Sequence, residues 1–261
     1  MLNRPQGFAR VWLTIVMVAA PALAVENAPQ VFSSEDRRGL EQGFHEAFRY
    51  HPIVAEPLED PRALLAPDEA ATIFRVIPES GSVSEERHRF TTLSEAAGNT
   101  HYEYHLNAAE SQLVRLSDGQ GVFIEGAIDR KEGVRTEFQP AKPLLPKGLL
   151  PGQSVTGVSK VRVLDLEHPD KVRHSGELTL TLTHLGSFHA IVPLGEYDAV
   201  LLRLESRGRI GPADIVHRQY YCFAEDTGLV AFLESRQISA FGIYEKREQQ
   251  ALVLIREDGS P

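Results

Sequence analysis

In the stretch Leu178-Thr179-Leu180-Thr181-Leu182-Thr183-His184-Leu185, apolar side chains alternate with threonine or histidine. Period two is the mark of a β-strand with one buried face, whereas a helix would spread the leucines around its axis. Similar runs occur at Ser154 to Leu166, Ala190 to Pro193, Tyr197 to Glu205, Ile215 to Phe223, Leu229 to Ser235 and Ala251 to Ile255. Turn formers separate them: His168-Pro169-Asp170, Gly186-Ser187, Leu194-Gly195-Glu196, Gly208 to Asp214 and Asp226-Thr227-Gly228. Strands this closely spaced, with no helical pattern between them, pair antiparallel through hairpins, because parallel neighbours need long crossovers.

Upstream, shorter and less hydrophobic strands are predicted at Arg87 to Leu93, Thr100 to Asn107, Gln112 to Leu116, Gly121 to Ala127 and Val134 to Gln139. Within His101 to Leu106 the alternation puts Tyr102, Tyr104 and Leu106 on one face and His101, Glu103 and His105 on the other. A different period governs the segment after Ser34. Acids at Glu35 and Asp36 open a helical pattern in which Leu40, Phe44, Ala47 and Phe48 share a face, continuing to Tyr50 and ending before Pro52. Pro57, Pro61 and Pro67 make an irregular connection, and Asp68-Glu69-Ala70-Ala71 opens a further short helix leading into Ile73 to Ile77. The fold class expected is mainly β: a large curved antiparallel sheet or open barrel with an N-terminal amphipathic helix lying against it.

The division along the chain is a leader at 1–24, a helical and proline-rich segment at 25–80, an N-terminal β part at 81–139, a connection at 140–151 and a C-terminal β part at 152–261. The connection holds Pro140, Pro143, Pro146 and Pro151 with four leucines. Prolines keep it extended, and the leucines are expected to pack on a sheet edge or cover an opening. An exposed leucine strip would instead contact a partner or lipid.

The leader reads as a secretory signal peptide: Arg4 and Arg10, an apolar run from Val11 to Ala20, then Ala22-Leu23-Ala24 in the A-x-A cleavage pattern. The run is shorter than the roughly 20 apolar residues of a spanning helix, so a permanent anchor is the weaker alternative. Cleavage after Ala24 would leave a chain that does not span the membrane, periplasmic or secreted. Cys222 is the one cysteine, so neither a lipidated N-terminus at the cleavage point nor an intramolecular disulfide is available. It lies in a β-like run and reads as a buried, inert thiol. The formal net charge of −9 becomes more negative once the two leader arginines are removed, and no run of lysine or arginine counters it. Nucleic acid is therefore excluded as a partner.

Gly-x-Ser-x-Gly, glycine-rich phosphate loops and His-Glu-x-x-His are absent, so no catalytic residue, metal or cofactor is assigned. His101 and His105 on one strand would stand about 13 Å apart at roughly 3.3 Å per residue, too far to share an ion. His184 and His189 flank Gly186-Ser187 and would approach each other across a hairpin, with His174 or His217 as a third member of a conceivable site. Glu35-Asp36, Glu85-Glu86 and Glu225-Asp226 sit at turns or helix starts, where acids are ordinary. Arg203, Arg207, Arg209 and Arg218, near Glu205 and Asp214, are expected to form cross-strand ion pairs.

From Pro151 to Arg236 the order of features is more distinctive: Gly152-Gln153-Ser154, a long amphipathic hairpin, Val192-Pro193-Leu194-Gly195-Glu196-Tyr197-Asp198-Ala199, then Tyr220-Tyr221-Cys222-Phe223 followed by Gly228-Leu229-Val230. This half resembles a poorly characterised family of exported bacterial β-sheet domains, which is distantly similar to the half-barrel lipoprotein carriers of the bacterial periplasm. The resemblance implies a curved sheet with an apolar concavity, and it brings no catalytic or cargo-binding residue.

The function expected is therefore that of an exported, non-enzymatic protein binding a hydrophobic ligand, a lipid or an envelope protein in the sheet's concavity. Leu180, Leu182, Leu202 and Tyr221 are the candidate ligand-binding residues. A hydrolase of envelope glycan or peptide, with histidines meeting acids in a cleft, is the first alternative. A scaffold that pairs an edge strand with a partner is the second.

Overall fold

The computed structural model describes residues 24–27, 32–240 and 244–257, with the backbone alone at 24–27. The predicted leader, apart from Ala24, lies outside these residues. Twelve antiparallel strands close into a barrel: β3 (Thr72–Pro78), β4 (Ser84–Ala96), β5 (Asn99–His105), β6 (Glu110–Ser117), β7 (Gly121–Asp129), β8 (Val134–Pro146), β9 (Gln153–Asp165), β10 (Val172–Val192), β11 (Gly195–Ile210), β12 (Ala213–Ala224), β13 (Gly228–Ala240) and β14 (Tyr244–Glu257). Neighbours in sequence are neighbours in the sheet, and the ring shuts where β14 meets β3, Leu252 opposite Val76. The sheet goes beyond the curved or open form expected from the sequence, since closure removes the free edges of the end strands. Two short strands are added outside the ring. β1 (Ala24–Asn27) pairs with the start of β9, and β2 (Arg49–Pro52) pairs with residues 188–191 of β10.

The helix α1 (Ser34–Phe44) begins at Ser33, whose hydroxyl accepts from the Asp36 amide while the Asp36 carboxylate accepts from the Ser33 amide. It stops six residues short of Tyr50. His45 turns to φ +52, and the chain then extends into β2, where pairing with β10 replaces helical hydrogen bonds. Phe48 keeps its place in the core from the extended chain, its ring 4.6 Å from that of Phe44. Residues 68–71 form no helix. The short helix lies earlier, as α2 (Pro61–Leu65), because Asp60 caps the amides of Arg62 and Ala63 and Pro61 is preset for a first turn.

The strand β10 shows how one residue redistributes a whole face. Gly186-Ser187 makes no turn; β10 runs through it with a bulge in which Leu185 is the extra residue between His184 and Gly186. Gly186 takes φ +128, which an L side chain resists. Before the bulge, Leu178, Leu180 and Leu182 point into the barrel. After it the parity flips, and Phe188, Ala190 and Val192 join the outer core beside Leu40 and Phe44. The threonines of the same run pair across to β9, Thr181 with Thr156 at 3.2 Å and Thr183 with Ser154 at 2.8 Å between hydroxyl oxygens.

The core is consequently double. Outside the ring, α1 lays Leu40 and Phe44 on the outward residues of β10 to β14, among them Leu201, Cys222, Ala231, Leu233 and Val253. Gly43 makes that approach possible, since a Cβ there would collide with the Leu233 side chain. Inside the ring, Leu180, Leu182, Leu202, Leu204, Val114, Val122 and Ile124 fill part of the barrel. Leu58 and the α2 residues Leu64 and Leu65 stopper one end, with α2 resting on β7, β8, β12 and β13 from both sides of the ring. Leu58 exchanges backbone bonds with Leu149 and Gly148, and the Asp226 amide donates to Ala63. The remaining outer wall is polar and paired, with Arg115 and His101 on Glu125, Arg130 on Glu103, and Arg135 and Arg162 on Glu137.

Candidate ligand cavity

The interior of the ring is not filled throughout. A cavity of about 1170 Å³ runs along the barrel, from Leu65, Thr72 and Leu229 at the α2 end to the end formed by the hairpins at 78–84, 105–110, 129–134 and 210–213. Its volume is somewhat above what small-molecule pockets usually offer, roughly 300 to 1,000 Å³. The wall has two characters, because alternation sends different residue types inward on opposite arcs. Ile128, Val134, Phe138, Leu178, Ile210 and Ile215 make an apolar side from β7, β8 and β10 to β12. Glu86, His88, Gln112, Glu234, Arg236 and Gln250 make a polar side from β4, β6, β13 and β14.

Most of the polar side is bonded to itself. Glu234 faces His217 at 2.9 Å and receives Gln250 Nε2 at 2.9 Å. Burial pushes its carboxyl up, but those hydrogen bonds and the His217 and Arg236 charges outweigh burial and hold it below the usual range. His88 is wedged between the Tyr104 hydroxyl at 2.8 Å and Glu86 at 3.4 Å, and Arg236 pairs with Glu248 at 2.6 Å. Burial raises the Tyr104 hydroxyl well above the ordinary range and keeps it neutral. At the mouth, burial and the nearby Asp129 charge raise the Glu110 carboxyl.

Three groups stand out by what they lack. The Tyr221 hydroxyl and Gln219 Oε1 are buried and without a hydrogen-bond partner, and both residues line the cavity. Lys142 enters from β8, opposite Ile124 of β7, with its ammonium 4.3 Å from the centre of the Phe138 ring. Burial pushes its amine down to about 8, with the Glu234 charge the opposing influence. The sequence did hold a signal for Lys142: Phe138, Lys142 and Leu144 fall on one strand face, so a lysine in a proline-leucine run was destined to point inward.

Of the four residues singled out from sequence, Tyr221 faces the cavity, its ring parallel to Phe223 at 5.9 Å and 4.9 Å from Phe232. Leu180, Leu182 and Leu202 lie deeper, packed against one another. The histidines do not converge. His184 is fully buried at the bulge with Nδ1 3.3 Å from the Leu149 carbonyl, while His189 sits on the outer surface between Asp198 at 2.9 Å and Glu196 at 3.1 Å. The hairpin expected to join them is absent because β10 continues straight through Gly186. No group of three metal-ligating side chains occurs among the described residues. Ser206 and His217 are cross-strand neighbours, but no hydrogen bond joins the serine to the His217–Glu234 pair. Cys222 is buried on the outer core, its thiol pushed up to about 12 by burial, which makes it unreactive. The arginines expected to pair across strands do so, Arg209 with Asp214 at 2.8 Å and Arg218 with Glu205 at 3.0 Å.

No protein-family model matches the sequence, and no curated protein matches it. Two solved structures are similar in arrangement. One is a presumed exported protein with a YmcC-like fold from Bacteroides fragilis, 11% identical with a TM-score of 0.41, covering 73% of this chain and 96% of that one. The other is a presumed lipoprotein from Parabacteroides distasonis, 8% identical with a TM-score of 0.37, covering 79% of this chain and 100% of that one. Both likenesses are too distant to transfer a ligand or a residue role to this chain.

Proposed function

We propose that this protein is exported and binds a small molecule with an apolar body inside its barrel. The observation that carries the reading is the incompletely filled interior: Leu180, Leu182, Leu202 and Leu204 pack solidly inside the ring, while the same ring encloses about 1170 Å³ beside them. Packing a barrel throughout is what stability alone favours, since each void forfeits contact energy. A retained cavity lined by Phe138, Leu178, Ile215 and Phe232 offers an acyl chain or similar body an apolar track, and the polar arc orients its other end. The leader supplies the address, and a lipid or acyl carrier is the finer form of the reading.

The test is uptake of the neutral fluorescent dye Nile red by the folded chain. Wild-type protein is expected to bind the dye saturably and to melt at a temperature that rises with dye concentration. Thr136→Trp, which places an indole in the cavity from β8, is expected to lower the affinity at least about tenfold, or about 1.4 kcal/mol, while the barrel stays folded. Equal binding by both proteins would place the dye elsewhere and end the reading. The His217–Glu234 pair is the observation in favour of a hydrolase. That alternative gains support if His217→Ala abolishes turnover of a short-chain nitrophenyl ester.

A further inference from the structure

The cavity's polar groups specify the ligand's head. We propose that the ligand is an amphiphile with a carboxylate end, bound by the Lys142 ammonium with the Tyr221 hydroxyl donating a second hydrogen bond. This rests on the reading of the cavity as a ligand site. Three charges of the inner wall are already bonded: Glu234 to His217 and Gln250, Glu86 to His88 and Asn107, and Arg236 to Glu248. Lys142 has its stem and ammonium against Phe138 and no ion pair among the described residues. Lys142 from β8 and Tyr221 from β12 both line the same cavity.

The three unmatched groups are of complementary kinds. An ammonium and a phenol offer donors, and Gln219 Oε1, two residues from Tyr221 toward the mouth, offers an acceptor to a protonated or hydroxylated neighbour of the head. A half-buried cation without a counter-ion is costly, and the lowered Lys142 amine reflects that cost. A carboxylate supplies the counter-charge and two acceptor oxygens at once. A neutral head would satisfy Tyr221 and leave Lys142 as it is. The chain of such an amphiphile would run along Phe138, Leu178 and Ile215 to the mouth, where Glu110 and Asp129 would repel a second acid and so favour a single charged end.

The experiment is calorimetric titration of the chain from Val25 onward with decanoate and with decanol, below micelle-forming concentrations. Wild type is expected to prefer decanoate by at least about tenfold, the size of a charge-assisted hydrogen-bonded contact. Lys142→Met is expected to remove that preference and to keep decanol affinity within about twofold, while its melting temperature rises because a half-buried, unpaired cation has gone. Tyr221→Phe is expected to lower the affinity for both ligands severalfold and to leave the preference for decanoate, and Lys142→Gln is expected to remove that preference, which keeps the test open if Lys142→Met folds poorly. Equal wild-type affinity for the two ligands, or full decanoate affinity in Lys142→Met, would overturn the carboxylate assignment and leave the cavity reading standing. Binding of neither ligand, together with no uptake of Nile red, would remove both.

Discussion

The outer and inner faces of β11 to β13 carry similar residues and treat them in opposite ways. On the outer face, Arg203 and Tyr220 meet Asp36 of α1 at 2.6 and 2.9 Å, Ser33 closes the same carboxylate at 2.6 Å, and Arg218 joins Glu35 and Glu205. Apolar neighbours pack tightly around this network under the helix. On the inner face, one residue further along, Tyr221 and Gln219 keep unpartnered polar atoms beside open volume. Tyr220 and Tyr221 differ by a single step of the strand period, yet one hydroxyl is locked into a structural bond and the other is idle. Satisfied buried polar groups fix a core, and idle ones beside a void mark a place kept for something else. The comparison gives α1 and its carboxylate a part in stability and sets the inner arc apart as the place of the proposed binding site.

The largest expected effect is among the leucines packed inside the ring. Leu182→Asp puts an uncompensated charge among Val155, Leu202 and Leu204 and should cost at least about 4 kcal/mol, enough to leave the barrel unfolded. Thr181→Asp, one step away on the outer face, should cost under about 1 kcal/mol. Urea melts of both variants check the assignment of faces, and equal losses would refute it.

Next comes the outer network. Asp36→Asn removes the carboxylate 2.6 Å from Arg203 and leaves that guanidinium to Glu205 at 3.3 Å, and should cost about 2 kcal/mol. The pH dependence follows from the native carboxyl. Burial pushes Asp36 up, but hydrogen bonds from Ser33, Arg203 and Tyr220 with the Arg203 charge outweigh it and hold it below its ordinary value of 3.8. Its stabilisation is therefore complete above that value and is lost as pH falls through the lower native one. Acid titration of wild type should show this loss below about 3.8 and Asp36→Asn should lack that part of the slope.

The smallest effect sharpens the contrast most. Lys142→Met removes an inner charge that has no ion pair and fills the space with an apolar chain of similar length, so stability should rise by about 1 kcal/mol. Outer polar residues should destabilise on removal, and this inner one should stabilise. A Lys142→Met variant that melts well below wild type would make Lys142 a structural residue and weaken the division.

Much of the fold could be read from period alone. The alternation from Leu178 to Leu182, the strands from Arg87 to Gln139 and the start of α1 within one residue all depend on local pattern, and local pattern survives into the structure. What could not be read depends on partners far apart in sequence. Asp36 meets Arg203 and Tyr220 from 167 and 184 positions away. Helical spacing of Ala47 and Phe48 extended the expected helix too far, because nothing local announces that β2 will find a place on β10. Gly186 looked like a turn since a glycine with positive φ serves a bulge as well as a hairpin. The candidate site was legible only in part: Tyr221 was visible as an inward aromatic, but which inward residues meet the cavity and which, like Leu180, Leu182 and Leu202, pack against one another depends on how distant strands come together.

The most direct test of the account is diffraction from crystals of the chain from Val25 onward grown with decanoate. The account predicts chain density inside the barrel along Phe138, Leu178 and Ile215, with the carboxylate within hydrogen-bond distance of Lys142 Nζ. An interior holding ordered water alone, or decanoate seated on the outer wall, would contradict it.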